Sequence, residues 1–310
     1  MSSGCPLCGA ENYTILYDRL QYPGSSIVKC DHCFHIYTLS DHQPETEKLY
    51  NDEVYQVIEN RHTIFDKILN WEYNRVIRNI NSFKPKKGSL LDFGCGKGKF
   101  ASIAKNKGWQ VKCVETAKER AEYAKKIYGL EVSTNLYSTG KLFNQYFDAL
   151  ILFHVLEHLA NPKILLSELI KHNLKKEALV VIEVPNIKSL QARIAGSKWM
   201  HLDIPRHISH FTSVQLEQMA RESGLVTRQT TFFSFHLGVL GMIDSLLKLF
   251  GYRQNIIYEL KNKKNRVLIL AILFSLPFAV ILEFVAAVRG RGGIIRKYFI
   301  LKNGITDLSG

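Results

Sequence analysis

Between residues 83 and 235 the chain alternates short apolar runs with stretches of helical period. The runs cover residues 89–93, 110–114, 130–133, 147–154, 178–184 and 226–233, and the fourth is apolar throughout its middle. Runs of this kind predict strands covered on both faces, as in a parallel sheet. Residues 100–106, 118–128, 164–172 and 214–223 space their apolar positions as helices do, and Gly108, Gly129 and Gly224 follow three of them as stop signals. The alternation predicts an α/β fold.

The flanks carry different patterns. Residues 41–82 hold Pro44 and then apolar residues at Ile58, Ile64, Phe65, Ile68, Leu69, Val76, Ile77 and Ile80, which predicts a helical linker or lid, with Tyr50 and Tyr55 either ordinary packing aromatics or lining a substrate site. The best candidate for a last strand, residues 294–301, comes late. Before it lie two apolar stretches, 237–250 and 267–288, the second interrupted only by Ser275, Pro277 and Glu283. Its length suits a membrane crossing. If the strands on either side of the insertion pair in one sheet, the chain must leave and return on the same side. A re-entrant helix bent at Pro277, a hairpin, or packing on the domain or on a partner subunit are the arrangements left open. The expected division is a module over 1–40, the lid over 41–82, the core over 83–235, the insertion over 236–292, and the last strand with a tail over 293–310.

Composition adds little except through charge. The chain has 310 residues, 46% of them apolar, and a formal net charge of +13. Residues 248–302 hold eleven lysines and arginines against Glu259 and Glu283, so this stretch alone contributes +9. The basic excess sits beside the most apolar segment, with the 261–266 cluster before it and Arg289, Arg291 and Arg296 after it. Anionic lipid head groups are therefore a better match than nucleic acid. The opening MSSGCPLCGA has no apolar run, and the expected location is cytoplasmic, on the cytoplasmic face of a membrane.

Candidate chemistry starts at the first strand. Asp92 is followed by Gly94, Cys95, Gly96, Lys97 and Gly98, a loop with glycine at every second position that runs into a helix at Lys99. Glycine lets the backbone approach a ligand, and a helix N-terminus offers unpaired N–H groups. The spacing is G-x-G-x-G, whereas the dinucleotide fingerprint is G-x-G-x-x-G. An acid two residues ahead of the first glycine repels a pyrophosphate and suits an ammonium, such as that of S-adenosylmethionine. A glycine-rich turn without a ligand is the bland alternative.

Two further groups stand out. Cys5 and Cys8, then Cys30 and Cys33, form two C-x-x-C pairs separated by 21 residues. Four thiolates on two knuckles match tetrahedral, structural Zn2+, with redox dithiols or disulfides as the competing reading. Residues 199–210 contain Trp199, His201, Asp203, Pro205, Arg206, His207 and His210, so three imidazoles fall within ten residues. They serve as a source of a general base, as hydrogen-bonding struts of the loop, or as ligands of a second metal.

The stretch from Leu91 to Gly98 resembles the first motif of class I S-adenosylmethionine-dependent methyltransferases. The resemblance implies a Rossmann-like sheet, to which the residue patterns add an N-terminal zinc ribbon and an apolar helical insertion before the last strand. It assigns Asp92, Gly94, Cys95, Gly96 and Gly98 to the methionine end of the cofactor and Glu115, 23 positions beyond Asp92 at the end of the second strand, to the ribose hydroxyls. Asn135 and Leu136 stand where the family places an adenine-binding acid. Phe153 and His154 are implied to lie against the cofactor. The segment Val155-Leu-Glu157-His158-Leu resembles small-molecule and sugar methyltransferases, and Pro205-Arg-His207-Ile-Ser-His210-Phe resembles the P-R-H-x-x-H-F segment of one group among them. Glu157, His158, His207 and His210 are the candidate bases, His158 first. Because similar chains act on nucleotide sugars or in surface-polysaccharide pathways, the expected acceptor is a small molecule, a sugar or a lipid-linked glycan at the membrane. An RNA methyltransferase and a non-catalytic membrane-bound adaptor are the alternatives.

Overall fold

The computed structural model describes residues 4–302 apart from 19, 21, 41–62, 138, 255, 263 and 264, so Tyr50 and Tyr55 lie outside the described residues. Seven strands form the central sheet: β4 (Ser89–Phe93), β5 (Gln110–Val114), β6 (Glu131–Ser133), β7 (Phe147–Phe153), β8 (Leu174–Pro185), β10 (Leu225–Thr231) and β11 (Ile294–Leu301). Their order is β10-β11-β8-β7-β4-β5-β6. The β4, β5, β6, β7 and β8 ladders are parallel, and β11 runs antiparallel between β8 and β10.

The two faces follow from the strand period of two. Leu91, Leu150, Leu152, Val180 and Ile182 point to one side, where they pack on Leu166 and Leu169 of α4 (Pro162–Asn173) and Leu216 and Met219 of α6 (Ser213–Glu222). Leu90, Ala149, Ile151, Leu179 and Val181 point to the other. They meet Val76, Ile77 and Ile80 of α1 (Ile64–Phe83) and Phe100 and Ile103 of α2 (Lys99–Asn106). Both faces are dry, which accounts for the unbroken apolar middle of β7. Local signals set the helix ends: Thr63 accepts from the Asp66 N–H at the start of α1, Thr212 and Gln215 form a capping box on α6, and Pro162 opens α4.

The N-terminal strands β1 (Tyr13–Tyr17), β2 (Ser25–Cys30) and β3 (Ile36–Ser40) form an antiparallel meander. It is not free-standing. The short β9 (Ser209–His210), from the histidine-rich segment, adds to β3 as a fourth strand.

The insertion leaves at the end of β10, opens with a π-helical turn (Phe235–Val239), and continues as α7 (Leu240–Leu249), α8 (Ile256–Asn262) and α9 (Arg266–Val288). Helix α9 runs unbroken through Pro277. One side packs on α7 through Leu268, Leu276, Ala279 and Val280 against Val239, Met242 and Ile243. Glu283 anchors its end by accepting from the Gly293 N–H and from Gln191 Nε2. Arg296 corrects the sequence reading. Expected beside the membrane surface with Arg289 and Arg291, it is instead 3% exposed, inside the molecule on β11.

Candidate active site

A cavity of about 320 Å³ opens where β4 and β7 end. Its lining includes Asp92, Gly94, Cys95 and Gly96 from the loop after β4, Phe153 and His154 from the end of β7, and Phe65, Leu69 and Tyr73 from α1. An ion pair from Lys99 Nζ to Asp66 Oδ1 at 2.7 Å ties α1 to the start of α2.

The loop requires its glycines. Gly94 has φ of +81°, and a Cβ there would sit 2.5 Å from Val155 Cγ2. Gly98 has φ of +77°, and its Cβ would meet Leu130 Cδ1 at 2.6 Å. An L side chain is thus excluded twice at each position, by backbone and by space.

Asp92 is 3% exposed, and its Oδ2 has no hydrogen-bond partner among the described residues. Burial, and then the Glu115 carboxylate nearby, raise its pKa to about 7. Glu115 is not among the residues lining this cavity; its Oε2 accepts from the Gly96 N–H at 2.8 Å and its Oε1 from the Ala117 N–H at 2.9 Å. The two carboxylates predicted from sequence therefore stand close enough to repel. Asn135 and Leu136 do not join them. Both are exposed, Leu136 at 86%, and neither lines the cavity.

His154 holds a left-handed backbone, with φ of +54°. Its Nδ1 lies 3.0 Å from Glu157 Oε1 and its Nε2 3.0 Å from Glu183 Oε1. Burial alone would lower its pKa, but the hydrogen bonds and charges of these two glutamates outweigh that and raise it to about 10. At neutral pH His154 is therefore an imidazolium, a positive charge at the cavity wall and not a base.

Behind His154 runs a buried chain of charge that sequence reading missed. Arg296 Nε bonds Glu183 Oε2, and its Nη2 reaches Glu72 Oε1 at 2.9 Å. Glu72 Oε2 in turn meets His236 Nδ1 at 2.6 Å and accepts from the Phe235 and His236 N–H groups. Five elements are joined here: α1, β7, β8, β11 and the first turn of the insertion. The available sequence signal was charge set among apolar residues, Glu183 in the 178–184 run of β8 and Arg296 with Lys297 in β11, since such a charge needs a partner.

The four candidate bases separate. None lines the cavity. His210 faces the N-terminal meander, its Nε2 2.9 Å from Thr38 Oγ1, whose hydroxyl donates to the His207 carbonyl. Its spare nitrogen is committed to that strut. Glu157, His158 and His207 instead converge, with one potential ligand atom of each within 4.8 Å of the others. Burial, and then His207 beside it, lower the His158 pKa to about 4.

At the N-terminus the four cysteines also converge. The Cys5 and Cys33 sulfurs are 3.5 Å apart, those of Cys8 and Cys30 3.6 Å, and all four lie within 4.8 Å of one another as free thiols.

A family profile described as a methyltransferase domain matches residues 65–230, more than half of the chain. Similar solved structures include a SAM-dependent methyltransferase from Archaeoglobus fulgidus, at 20% identity over 76% of this chain and 94% of that one, with a TM-score of 0.48. A SAM-dependent methyltransferase from Thermotoga maritima matches at 19% identity over 54% and 75%, with a TM-score of 0.42. The plantazolicin methyltransferase BpumL in complex with SAH matches at 15% identity over 83% and 93%, with a TM-score of 0.48. No curated protein matches the chain. By the profile match and by a sheet whose last strand runs antiparallel between two neighbours, the chain belongs to the methyltransferase-domain family and is a class I methyltransferase.

Proposed function

We propose that this methyltransferase moves a methyl group from S-adenosylmethionine to a lipid-linked or glycan acceptor at an anionic membrane surface. The sulfonium supplies an activated methyl for in-line displacement, so the protein's task is alignment. In this reading Asp92 takes the methionine ammonium, the Gly94–Gly98 backbone wraps the donor, Glu115 takes the ribose hydroxyls with the lone pairs that the Gly96 and Ala117 N–H groups leave, and Phe153 and His154 wall the methyl. The unpartnered Asp92 Oδ2 inside the cavity supports it, being a buried acceptor that lacks its donor. The Glu157–His158–His207 group, one layer behind His154, is where we assign handling of the acceptor's proton.

The observation that carries the acceptor class is the outward side of α9. Val267, Leu270, Phe274, Phe278, Ile281, Phe284 and Val288 are exposed in one stripe along its length, and Leu249 and Phe250 are exposed at the end of α7. Exposed Arg266, Arg289, Arg291 and Arg253 flank this surface, matching anionic head groups. A stripe with protein on its other side suits a helix lying in the interface. The insertion also leaves β10 at the sheet end that carries the cavity. Full-length protein should co-sediment with phosphatidylglycerol-containing vesicles and only weakly with phosphatidylcholine. Phe274→Ser, Phe278→Ser and Phe284→Ser together should weaken binding at least tenfold, on the order of the apolar area removed. Native protein that ignores anionic vesicles would overturn the membrane reading, as would transfer of labelled methyl to RNA and not to a lipid extract.

The four cysteines fit zinc. Bonds of about 2.3 Å in a tetrahedron put sulfurs roughly 3.8 Å apart, close to the spacing found, whereas a disulfide needs about 2.05 Å. Bound zinc would cross-link the two knuckles that the meander brings together. Purified protein should carry zinc, and Cys30→Ser should lose it from this site and lower the melting temperature. A zinc content and melting point unchanged by Cys30→Ser would refute the assignment.

A further inference from the structure

We propose that Glu157, His158 and His207 bind a first-row divalent metal ion through two imidazole nitrogens and one carboxylate. Three observations converge. The His207 Nδ1 lies 2.8 Å from the His201 carbonyl, and the His158 Nδ1 lies 3.1 Å from the Arg206 carbonyl. A carbonyl only accepts, so each Nδ1 carries a proton, and in the neutral ring Nε2 is then the nitrogen that can ligate a metal. This is how metal-binding histidines are held, with the outer nitrogen donating to a backbone oxygen. The rings themselves stand edge to face with centroids 4.7 Å apart.

Glu157 is the second observation. It is 1% exposed, with Oε1 on His154 and Oε2 buried without a hydrogen-bond partner among the described residues. A lone carboxylate oxygen in such a place lacks a donor or a cation. The third is the convergence itself, one ligand atom of each residue within 4.8 Å of the others. Ligands on a metal with bonds of about 2.0–2.2 Å stand roughly 3.3 Å apart, so modest side-chain rotation closes the site. Asp203 is a bystander: its Oδ2 lies 3.8 Å from His207 Nε2, and Arg206 engages it.

Two histidines and one carboxylate leave coordination positions open, the donor set of catalytic zinc and of non-haem iron(II). A water taken up at the open positions would have its pKa lowered by the cation. The site would also pin the 199–207 segment to the end of β7. This deepens the proton-handling role given to the trio, yet its test is separate: S-adenosylmethionine calorimetry reports on the cavity, metal stoichiometry on the trio.

The experiment is a Co2+ titration of chelator-stripped full-length protein followed by absorption. Sulfur ligands give intense charge-transfer bands, whereas nitrogen and oxygen ligands give only weak ones. The expected result is two equivalents, one with charge-transfer intensity from the four cysteines and one without. His158→Ala and His207→Ala should each weaken the second at least tenfold and keep the first, whose band also reports that the variant is folded. A wild-type protein that takes up only the thiolate-bound equivalent overturns the proposal. So does a second equivalent that binds equally well in both variants.

Discussion

Arg296→Met is expected to destabilise the protein by about 3–5 kcal/mol, because it strands two carboxylates in the interior. Arg296 is the cation between Glu72 and Glu183, and each of these is at most 2% exposed. Burial alone would raise the pKa of both glutamates. Hydrogen bonding and charge from His236 and Arg296 reverse that at Glu72, as Arg296 and His154 do at Glu183, and both pKa values are lowered. Methionine fills similar volume but neutralises nothing. Urea unfolding is the measurement, and an unchanged midpoint would show that the chain of charge adds no net stability. The loss should reach the cavity as well, since Glu183 holds one nitrogen of His154. Cofactor affinity should therefore fall in the variant even where it remains folded. Arg296→Lys should not restore it fully, because an ammonium cannot span two carboxylates as a guanidinium fork does.

Asp92→Asn is expected to reduce S-adenosylmethionine binding at least a hundredfold while making the empty protein more stable. The same burial produces both effects. The Asp92 pKa is raised to about 7 in the fold, above its ordinary value of 3.8, so the folded state holds the proton more tightly than the unfolded chain. Stability from this group is then greatest below pH 4, falls as pH rises from about 4 to 7, and stays low above 7. Asparagine removes that slope and should raise stability at pH 8 by on the order of 1–3 kcal/mol. Binding follows the opposite sign. In the proposed role the ammonium needs the ionised carboxylate, so affinity rises with pH through 7 and drops about tenfold per unit below it. Calorimetry between pH 5.5 and 8.5 checks this in the native protein. A flat affinity profile, or full binding by Asp92→Asn, would remove Asp92 from the donor site.

Local patterns were already legible in the residue order. The G-x-G-x-G loop, the strand ends at Asp92 and Glu115, the late last strand at 294–301 and the paired C-x-x-C knuckles are each set by spacing within a few residues. Period and turn chemistry act over that range, and the structure has these elements where the patterns put them. The apolar length of α9 was equally plain. Which side of it meets protein was not, since nearly every position is apolar and the packed stripe is chosen by α7.

Partnerships between charges lay beyond such reading. Glu72 and Arg296 are 224 positions apart, and sheet topology alone sets β11 beside β8 and α1 above them. His207 and His210 share one short motif, yet β9 turns His210 toward Thr38 and leaves His207 with Glu157 and His158. Residue type says that a buried charge or imidazole must be satisfied, and only the folded chain decides by whom, because the partner is selected by proximity in space and by the cost of leaving it alone.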